Sequence, residues 1–428
     1  MINEWNDMKK AGLTIAVVLW AAGAFAQALS VGQYRSRVLD YNQDIRKSEQ
    51  VAEGVLYSLK GVKTGFFPKL DASGNYSYQF EDVEFFSGKD LKHDNYGIEA
   101  GLVQNVYSGS AVRKQYHVAK LQYAIARLAV EHTVDNLVYA ADVTYWTVVA
   151  NKDLLNLSEQ YVRLVNELYQ VVNKRFEEGA ISKTDLLMVQ NRLKEAELQL
   201  NTASTNYQVA AQSLNIMMGE KPVAQVVLSD SIQQVLRTPG QTGLEEVLKR
   251  RADYQAAVMD MEVARVQTGL ARSKFLPQLA VGIKERFGTT MINLDGKSKW
   301  ATTAYAQVSI PVFHWGEMRQ NVRMSRTQEE IRELEKEQLK DQVSKELSNA
   351  WVSVTEIAKR LEIVYSSLDI AKDNLVLNTF SYNEGKLPIL DVLSAQVSWL
   401  QAYTNVVSVN YQYKIALAEY ARVLGSGR

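Results

Sequence analysis

The sequence predicts a mostly helical chain with a β-barrel portion, arranged as a tandem-duplicated helix, β-hairpin, long helix and return helix. Three observations carry this. Sliding Glu178–Gly219 forward by 206 positions lays it on Glu384–Gly425 without a gap. Nine identities survive, Glu178/Glu384, Gly179/Gly385, Asp185/Asp391, Leu187/Leu393, Gln190/Gln396, Ala196/Ala402, Tyr207/Tyr413, Ala210/Ala416 and Gly219/Gly425, where unrelated segments would share roughly three. Neither Gly nor Pro occurs between Gly109 and Gly179 or between Gly316 and Gly385, so each stretch can run as one helical arm of roughly 100 Å. Ahead of each arm the apolar period changes from helical spacing to alternation, over the length of a tilted membrane-crossing strand.

Composition sets the outer bounds. The 428 residues are 46% hydrophobic and 22% charged, a folded-protein balance that excludes disorder. Lys+Arg and Asp+Glu stand at 48 each, which removes the basic footprint that a nucleic-acid partner needs. Cysteine is absent, excluding disulfides, thiolate metal sites, a cysteine nucleophile and a lipidated N-terminal cysteine. The four histidines, His93, His117, His132 and His314, include no helical ligand pair. With no nucleophile elbow, P-loop or dinucleotide fingerprint, an enzyme is the weakest reading, and no cofactor or metal is expected.

In chain order, Lys9-Lys10 precede an apolar run from Ala11 to Phe25 that ends in Ala24-Phe25-Ala26, the pattern of a secretory signal peptide over residues 1–26. The run is shorter than the ~20 residues of a spanning helix. The first repeat, 27–219, opens with helical spacing from Ser30 to Phe67 (Val31, Tyr34, Val38, Tyr41, Ile45), which predicts one short helix. After Phe66-Phe67-Pro68, Leu70, Ala72, Gly74, Tyr76, Tyr78 and Phe80 alternate with polar residues and predict a strand. Tyr96, Ile98, Ala100 and Leu102 predict its partner, giving a β-hairpin at about 69–106. Tyr76, Tyr78 and Phe80, at one strand end, read as an interfacial aromatic girdle. The first arm, Ser110–Glu178, turns at Glu178-Gly179, and the return helix Ser182–Met218 ends at Gly219, a C-terminal cap.

Residues 220–243, with Pro222 and Pro239, read as a linker, and 244–428 repeat the order. Leu244–Lys274 is the second short helix, and Phe275-Leu276-Pro277 leads into a hairpin at about 278–312. The second arm then runs to Glu384, its charged Glu329–Glu346 stretch being a solvated face. Four strands cannot close a barrel, and their apolar faces require a lipid bilayer or a second layer. No sequence remains for a second layer, so several copies must pool their strands.

In these features the chain resembles the TolC-like outer-membrane efflux protein family (outer membrane factors) over nearly its whole mature length. The Phe-Phe-Pro and Phe-Leu-Pro lead-ins carry the resemblance, together with two tip motifs. These read Phe176-Glu-Glu-Gly-Ala-Ile-Ser-Lys-Thr-Asp185-Leu-Leu and Tyr382-Asn-Glu-Gly-Lys-Leu-Pro-Ile-Leu-Asp391-Val-Leu. The resemblance implies a homotrimer with a 12-stranded transmembrane β-barrel in the cell outer membrane, continued by an α-helical periplasmic tunnel. It implies a periplasmic adaptor (membrane fusion) protein and an inner-membrane pump or ABC exporter as partners. The function implied is the passive exit duct of a tripartite efflux pump or type I secretion system, gated at the helical tips.

Residue by residue, Asp185 matches the family's link acid and Tyr382 the tyrosine that it reaches. Leu387 stands where well-known members carry an arginine, so an Asp185–Tyr382 hydrogen bond is the latch expected. Asp391 matches one acid of the constriction and Ser394 occupies the second position. Gly179, Ala180, Gly385 and Lys386 are the tips expected to meet the adaptor. Simpler roles stand beside these: Ser182-x-x-Asp185 has capping-box form, Asp391 follows Pro388 at a helix start, and Gly179 and Gly385 suit tight turns. A second class of function is a secreted coiled-coil scaffold or adhesin with soluble hairpins, which carbonate would wash from membranes.

Overall fold

A computed structural model describes residues 28–85, 89–233, 238–289 and 295–426. The signal-peptide reading of residues 1–26 lies outside the described residues. The chain folds as helices α1 (Val31–Tyr41) and α2 (Gln43–Lys63), strands β1 (Lys69–Tyr78), β2 (Glu84–Phe85), β3 (Lys89–Asp90) and β4 (Asp94–Tyr107), then helices α3 (Ala111–Glu177) and α4 (Lys183–Met217). Helices α5 (Leu244–Arg250) and α6 (Ala252–Ser273), strands β5 (Gln278–Gly288) and β6 (Lys299–Ser309), and helices α7 (Glu317–Asn383) and α8 (Ile389–Val423) follow. The arms α3 and α7 are 67 residues each, and the return helices α4 and α8 are 35 each.

The short helix expected from Ser30 to Phe67 is two helices. Asn42 leaves the helical region at ψ 132, and its Oδ1 accepts the Asp44 N–H at 2.7 Å. This local side-chain bond competes with the helical ladder. The helix expected over Leu244–Lys274 also breaks, at Arg251, which takes ψ 119.

Two compact units are formed. The first takes the described residues up to Arg46, Thr133–Arg251 and those from Val343. Its core gathers Tyr34 and Val38 of α1, Tyr145, Trp146 and Val149 of α3, Leu214 of α4 and Val407 of α8, with Ile232 of the inter-repeat segment. Each such side chain stabilises the fold by about 1.5–3 kcal/mol through apolar burial. Leu29 pairs in a parallel bridge with Leu228, and Tyr145 Oη donates to Leu29 O and Asp230 Oδ2, both at 2.7 Å. In the lower part of the unit α8 packs against α3 through Leu168 and Val172. Higher up, α8 packs against α7 through Ala350, Val354, Tyr413 and Tyr420. Helix α8 is thus an inner helix, while α4 and α7 each leave a broad face exposed.

Lys414 is 2% exposed, with its ammonium 4.6 Å from the Trp146 ring centroid. Burial outweighs the attraction of Asp230 and pushes its pKa down to about 8. Between pH 8 and 10.5 the unfolded chain holds a proton that the folded chain has released, so stability rises with pH across that window. Below pH 8 the cost of the buried charge is present in full. Thermal melting of Lys414→Met should therefore show a flatter rise between pH 8 and 10 than the unsubstituted chain.

The second unit takes Lys47–His132 and Ala252–Gln342. Four of its strands form one antiparallel sheet in the order β1-β4-β5-β6, while β2 and β3 pair in a separate two-stranded ribbon, so the two hairpins are joined by β4–β5 pairing. The register sorts side chains onto two faces. One carries the rows Leu70/Leu102/Ile283/Ala304 and Gly74/Ile98/Phe287/Trp300, with Leu70 72%, Ile98 64% and Trp300 70% exposed. Glu285, which takes the Thr302 hydroxyl at 2.5 Å, and Asp94 at the strand end, which takes the Tyr76 hydroxyl at 2.8 Å, are the charged exceptions on that face. The other face is polar, with Asp71, Ser73, Asn75, Glu99, Lys284 and Arg286. A sheet apolar on one face and polar on the other, and covered on neither, fits a wall between lipid and water.

Candidate functional site

Four matched glycines end the long helices, and two of them, Gly179 and Gly385, build the tips. Gly179 and Gly385 have φ of 73° and 71°, and each follows the last turn of an arm. Gly179 N–H donates to Phe176 O and Ala180 N–H to Arg175 O, while Gly385 and Lys386 do the same to Tyr382 and Ser381. These are paired 5→2 and 6→1 bonds that satisfy the carbonyls orphaned at a helix end. Gly219 and Gly425 close α4 and α8 with the same bonds. Two of the nine identities that revealed the duplication, Gly179/Gly385 and Gly219/Gly425, are thus the residues that end its helices.

Beyond each turn the copies differ. Ser182 caps α4, and Asp185 completes the capping box, its Oδ2 accepting from Ser182 N at 3.3 Å and Ser182 Oγ at 2.9 Å. Pro388 caps α8 with no side-chain bond. Asp391 stands half-buried in the first turn with no hydrogen bond to its carboxylate among the described residues. One acid is occupied with its own helix; the other is available.

The expected Asp185–Tyr382 hydrogen bond is not made within the chain. Tyr382 is 5% exposed, packed against Val172, Leu186, Val189 and Ile389, and its hydroxyl has no partner among the described residues. Burial pushes its phenol pKa up, partly opposed by the nearby Arg175. Arg175 lies over the Tyr382 ring, 4.8 Å from its centroid. It also donates to the carbonyls of Tyr382 at 3.3 Å and Asn383 at 2.9 Å. The position that the motif assigns to Leu387 is thus not where an arginine meets this tyrosine: α3 supplies one instead.

Above the tip, α8 is buried on all sides except for one band. Asp391, Ser394, Ser398, Gln401, Asn405, Ser408 and Gln412 recur at spacings of three and four, and the last six are exposed. This stripe carries mostly hydroxyls and amides, with Leu390 and Val397 exposed beside them and a single charge, at the tip. Further along, a groove of about 450 Å³ is lined by Tyr139, Tyr411, Glu346 and Glu419 among others. Both carboxylates are engaged, Glu346 by Arg251 at 2.6 Å and Glu419 by Arg422 at 2.6 Å, so the groove offers no unneutralised acid for chemistry. No group of three or more metal-ligating side chains is placed to hold an ion among the described residues. Among them, too, no helix is long and apolar enough to cross a membrane.

The model of the outer membrane efflux protein family matches residues 34–220 and 243–426. The chain belongs to that family. Similar proteins include the solvent efflux pump outer membrane protein SrpC of Pseudomonas putida, 20% identical over 97% of this chain and 89% of that protein. Nodulation protein T of Rhizobium leguminosarum bv. trifolii is 21% identical over 64% of this chain, which spans 59% of that relative's length. The Campylobacter jejuni CmeC outer membrane channel shares the fold with a TM-score of 0.80 at 18% identity, covering 93% of this chain and 86% of that one. This outer membrane efflux protein is a channel component of the outer membrane and not an enzyme.

For such a protein the sheet's other aromatic residues gain interest. Tyr76 and Tyr78 lie at the end of β1, 68% and 46% exposed, and Phe80 stands two residues beyond the strand with its ring 5.1 Å from that of Tyr78. At the opposite end of the sheet, past β6, Val312, Phe313 and Trp315 are 89%, 67% and 91% exposed. Trp315 adopts φ 46°, unusual for a bulky residue. Sequence reasoning missed this cluster because it follows the strand and breaks its alternation. It missed Arg175 because nothing local marks a residue whose partners lie 207 and 208 positions away.

Proposed function

We propose that three copies of the chain pool their strands into a twelve-stranded barrel and their helices into a tunnel, forming the passive exit duct of a tripartite efflux pump. The single observation that carries this reading is the polar stripe of α8. An inner helix with one hydrated, almost uncharged band suits the wall of an aqueous conduit that passes cargo without holding it. The open sheet edges at β1 and β6 each present an unpaired backbone row, which joining copies would satisfy. Apolar side chains exposed on the two outer helices support the same assembly. They are Leu187, Leu198, Val209 and Ile216 on α4, and Ile363, Ile370, Leu377 and Phe380 on α7, each 52–69% exposed.

In this reading residues 1–26 are a cleaved leader, 220–243 join repeats 27–219 and 244–428, and the apolar sheet face meets lipid. Tyr76, Tyr78 and Phe80 form one interfacial girdle, and Val312, Phe313 and Trp315 the other. The turns at Gly179-Ala180 and Gly385-Lys386 receive a periplasmic adaptor, which couples the duct to an inner-membrane pump. Three Asp391 carboxylates ring the entrance, with Ser394 one turn inside and Leu387 beside the turn. Asp185 and Arg175–Tyr382 hold their own helix ends in place. The acid ring favours cations at the entrance.

Planar-bilayer recording tests the reading. The purified protein should give discrete conductance steps that polyvalent cations block from the tip side, and Asp391→Asn should weaken that block about tenfold through loss of three charges. Absence of conductance would refute the duct. Normal conductance with unaltered block would reduce Asp391 to a helix-start residue.

A further inference from the structure

The polar face of the sheet carries an excess of positive charge, and two of its cations, Lys69 and Arg286, have no ion pair among the described residues. Across β1, β4, β5 and β6 its register positions hold Lys69, Lys284, Arg286 and Lys299 against Asp71 and Glu99. Glu99 lies directly opposite Arg286 in the β4–β5 ladder, yet its carboxylate turns to Lys284, at 3.4 Å. Lys299 is matched by Asp295 at 3.5 Å. Arg286 has neither a hydrogen bond nor an ion pair among the described residues. Its guanidinium lies along the strand over Gly97. A Cβ at Gly97 would stand 3.1 Å from Arg286 Nε, 3.3 Å from a terminal nitrogen and 3.3 Å from Asn75 Oδ1. The bare backbone at Gly97 gives the guanidinium room to lie close against the wall, where a side chain would crowd it. Tyr305 lies in the same fashion over Gly282 on this face, its ring 2.6 Å from where that Cβ would be.

We infer that Arg286, laid over Gly97 and left uncompensated by Glu99, forms an anion-attracting ring in the barrel lumen that opposes the acid ring of the entrance. The inference rests on the proposed barrel, in which the polar face is the lumen and three copies bring three Arg286 together. A guanidinium presents planar paired donors that suit carboxylate and phosphate oxygens. A ring of arginines inside low-dielectric walls raises the local anion concentration. Because the groups lie flat, they charge the passage without narrowing it. Anionic groups are the ligand class, engaged transiently as cargo or as counterions.

The test is block of single-channel current by sodium pyrophosphate added on the barrel side. The unsubstituted channel should be blocked, and Arg286→Gln should weaken the block about tenfold. Arg286→Lys, which keeps the charge, should retain block, and Glu99→Gln, which removes the nearest acid, should strengthen it. Gly97→Val should lift the guanidinium from the wall and lower conductance while block persists. Cation block from the tip side serves as the internal control and should be the same in all four variants. Channels that conduct normally and are blocked equally with and without Arg286 would overturn the inference and leave the duct standing. Failure of the unsubstituted protein to conduct would overturn the duct, and this inference with it.

Discussion

Aspartate at both Ile363 and Ile370 of α7 is expected to leave the protein monomeric in detergent while its helical content stays the same. Both isoleucines are 67% exposed in the single chain, one heptad apart, so nothing within the chain needs them. An apolar face of this kind on an outer helix asks for a partner. A carboxylate forced into an apolar contact without a counter-charge costs about 3–5 kcal/mol, and three copies would bear that cost at every interface. Light scattering after size exclusion reads the mass directly, and circular dichroism reports whether the helices persist. A trimer that survives both substitutions would place the contact elsewhere on the helices.

The second large effect lies inside the first unit, where Arg35 of α1 grips Asp142 of α3 with two parallel bonds of 2.5 and 2.6 Å. The partners are unequal. The arginine side chain is 40% exposed and the aspartate 3%. Arg35→Met should therefore cost about 3–5 kcal/mol, because it leaves a buried carboxylate without its counter-charge. Asp142→Asn should cost less, since the freed guanidinium can reach water. Arg35→Met combined with Asp142→Leu should recover most of the loss, because no buried charge remains. A double-mutant cycle from denaturant unfolding measures the difference. Equal costs for the two single variants would refute the burial argument.

What the sequence disclosed follows the range of the forces involved. The tip glycines were readable because a helix end is a local event: Gly179 and Gly385 take positive φ and complete bonds that reach back only three and five residues. Ser182-x-x-Asp185 was readable for the same reason. The arms announced themselves by lacking Gly and Pro, and β1 by its alternation. Other features rest on contacts that no window contains. Arg175 meets Tyr382 across the duplication, and β4 pairs with β5 across 170 residues or more. The break at Asn42 could have been found, since an Asn side chain can accept the backbone N–H two residues on, but helical spacing continued on both sides and hid it. At the tip the motif pointed to Asp185 and Tyr382 as partners, while the structure gives each a nearer claim, a cap for one and a buried apolar niche for the other.

The equality of the two arms has its own consequence. Because α3 and α7 have the same number of residues and are closed by the same glycine turn, a heptad inserted into one alone would carry its turn about 10 Å past that of the other. The tip core shared by Leu168, Val172, Tyr382 and Ile389 would then lose its register. Changes of arm length must therefore arrive in pairs, one in each half of the coding sequence. The duplication acts as a ruler recorded twice, and reach across the envelope can evolve only in matched steps.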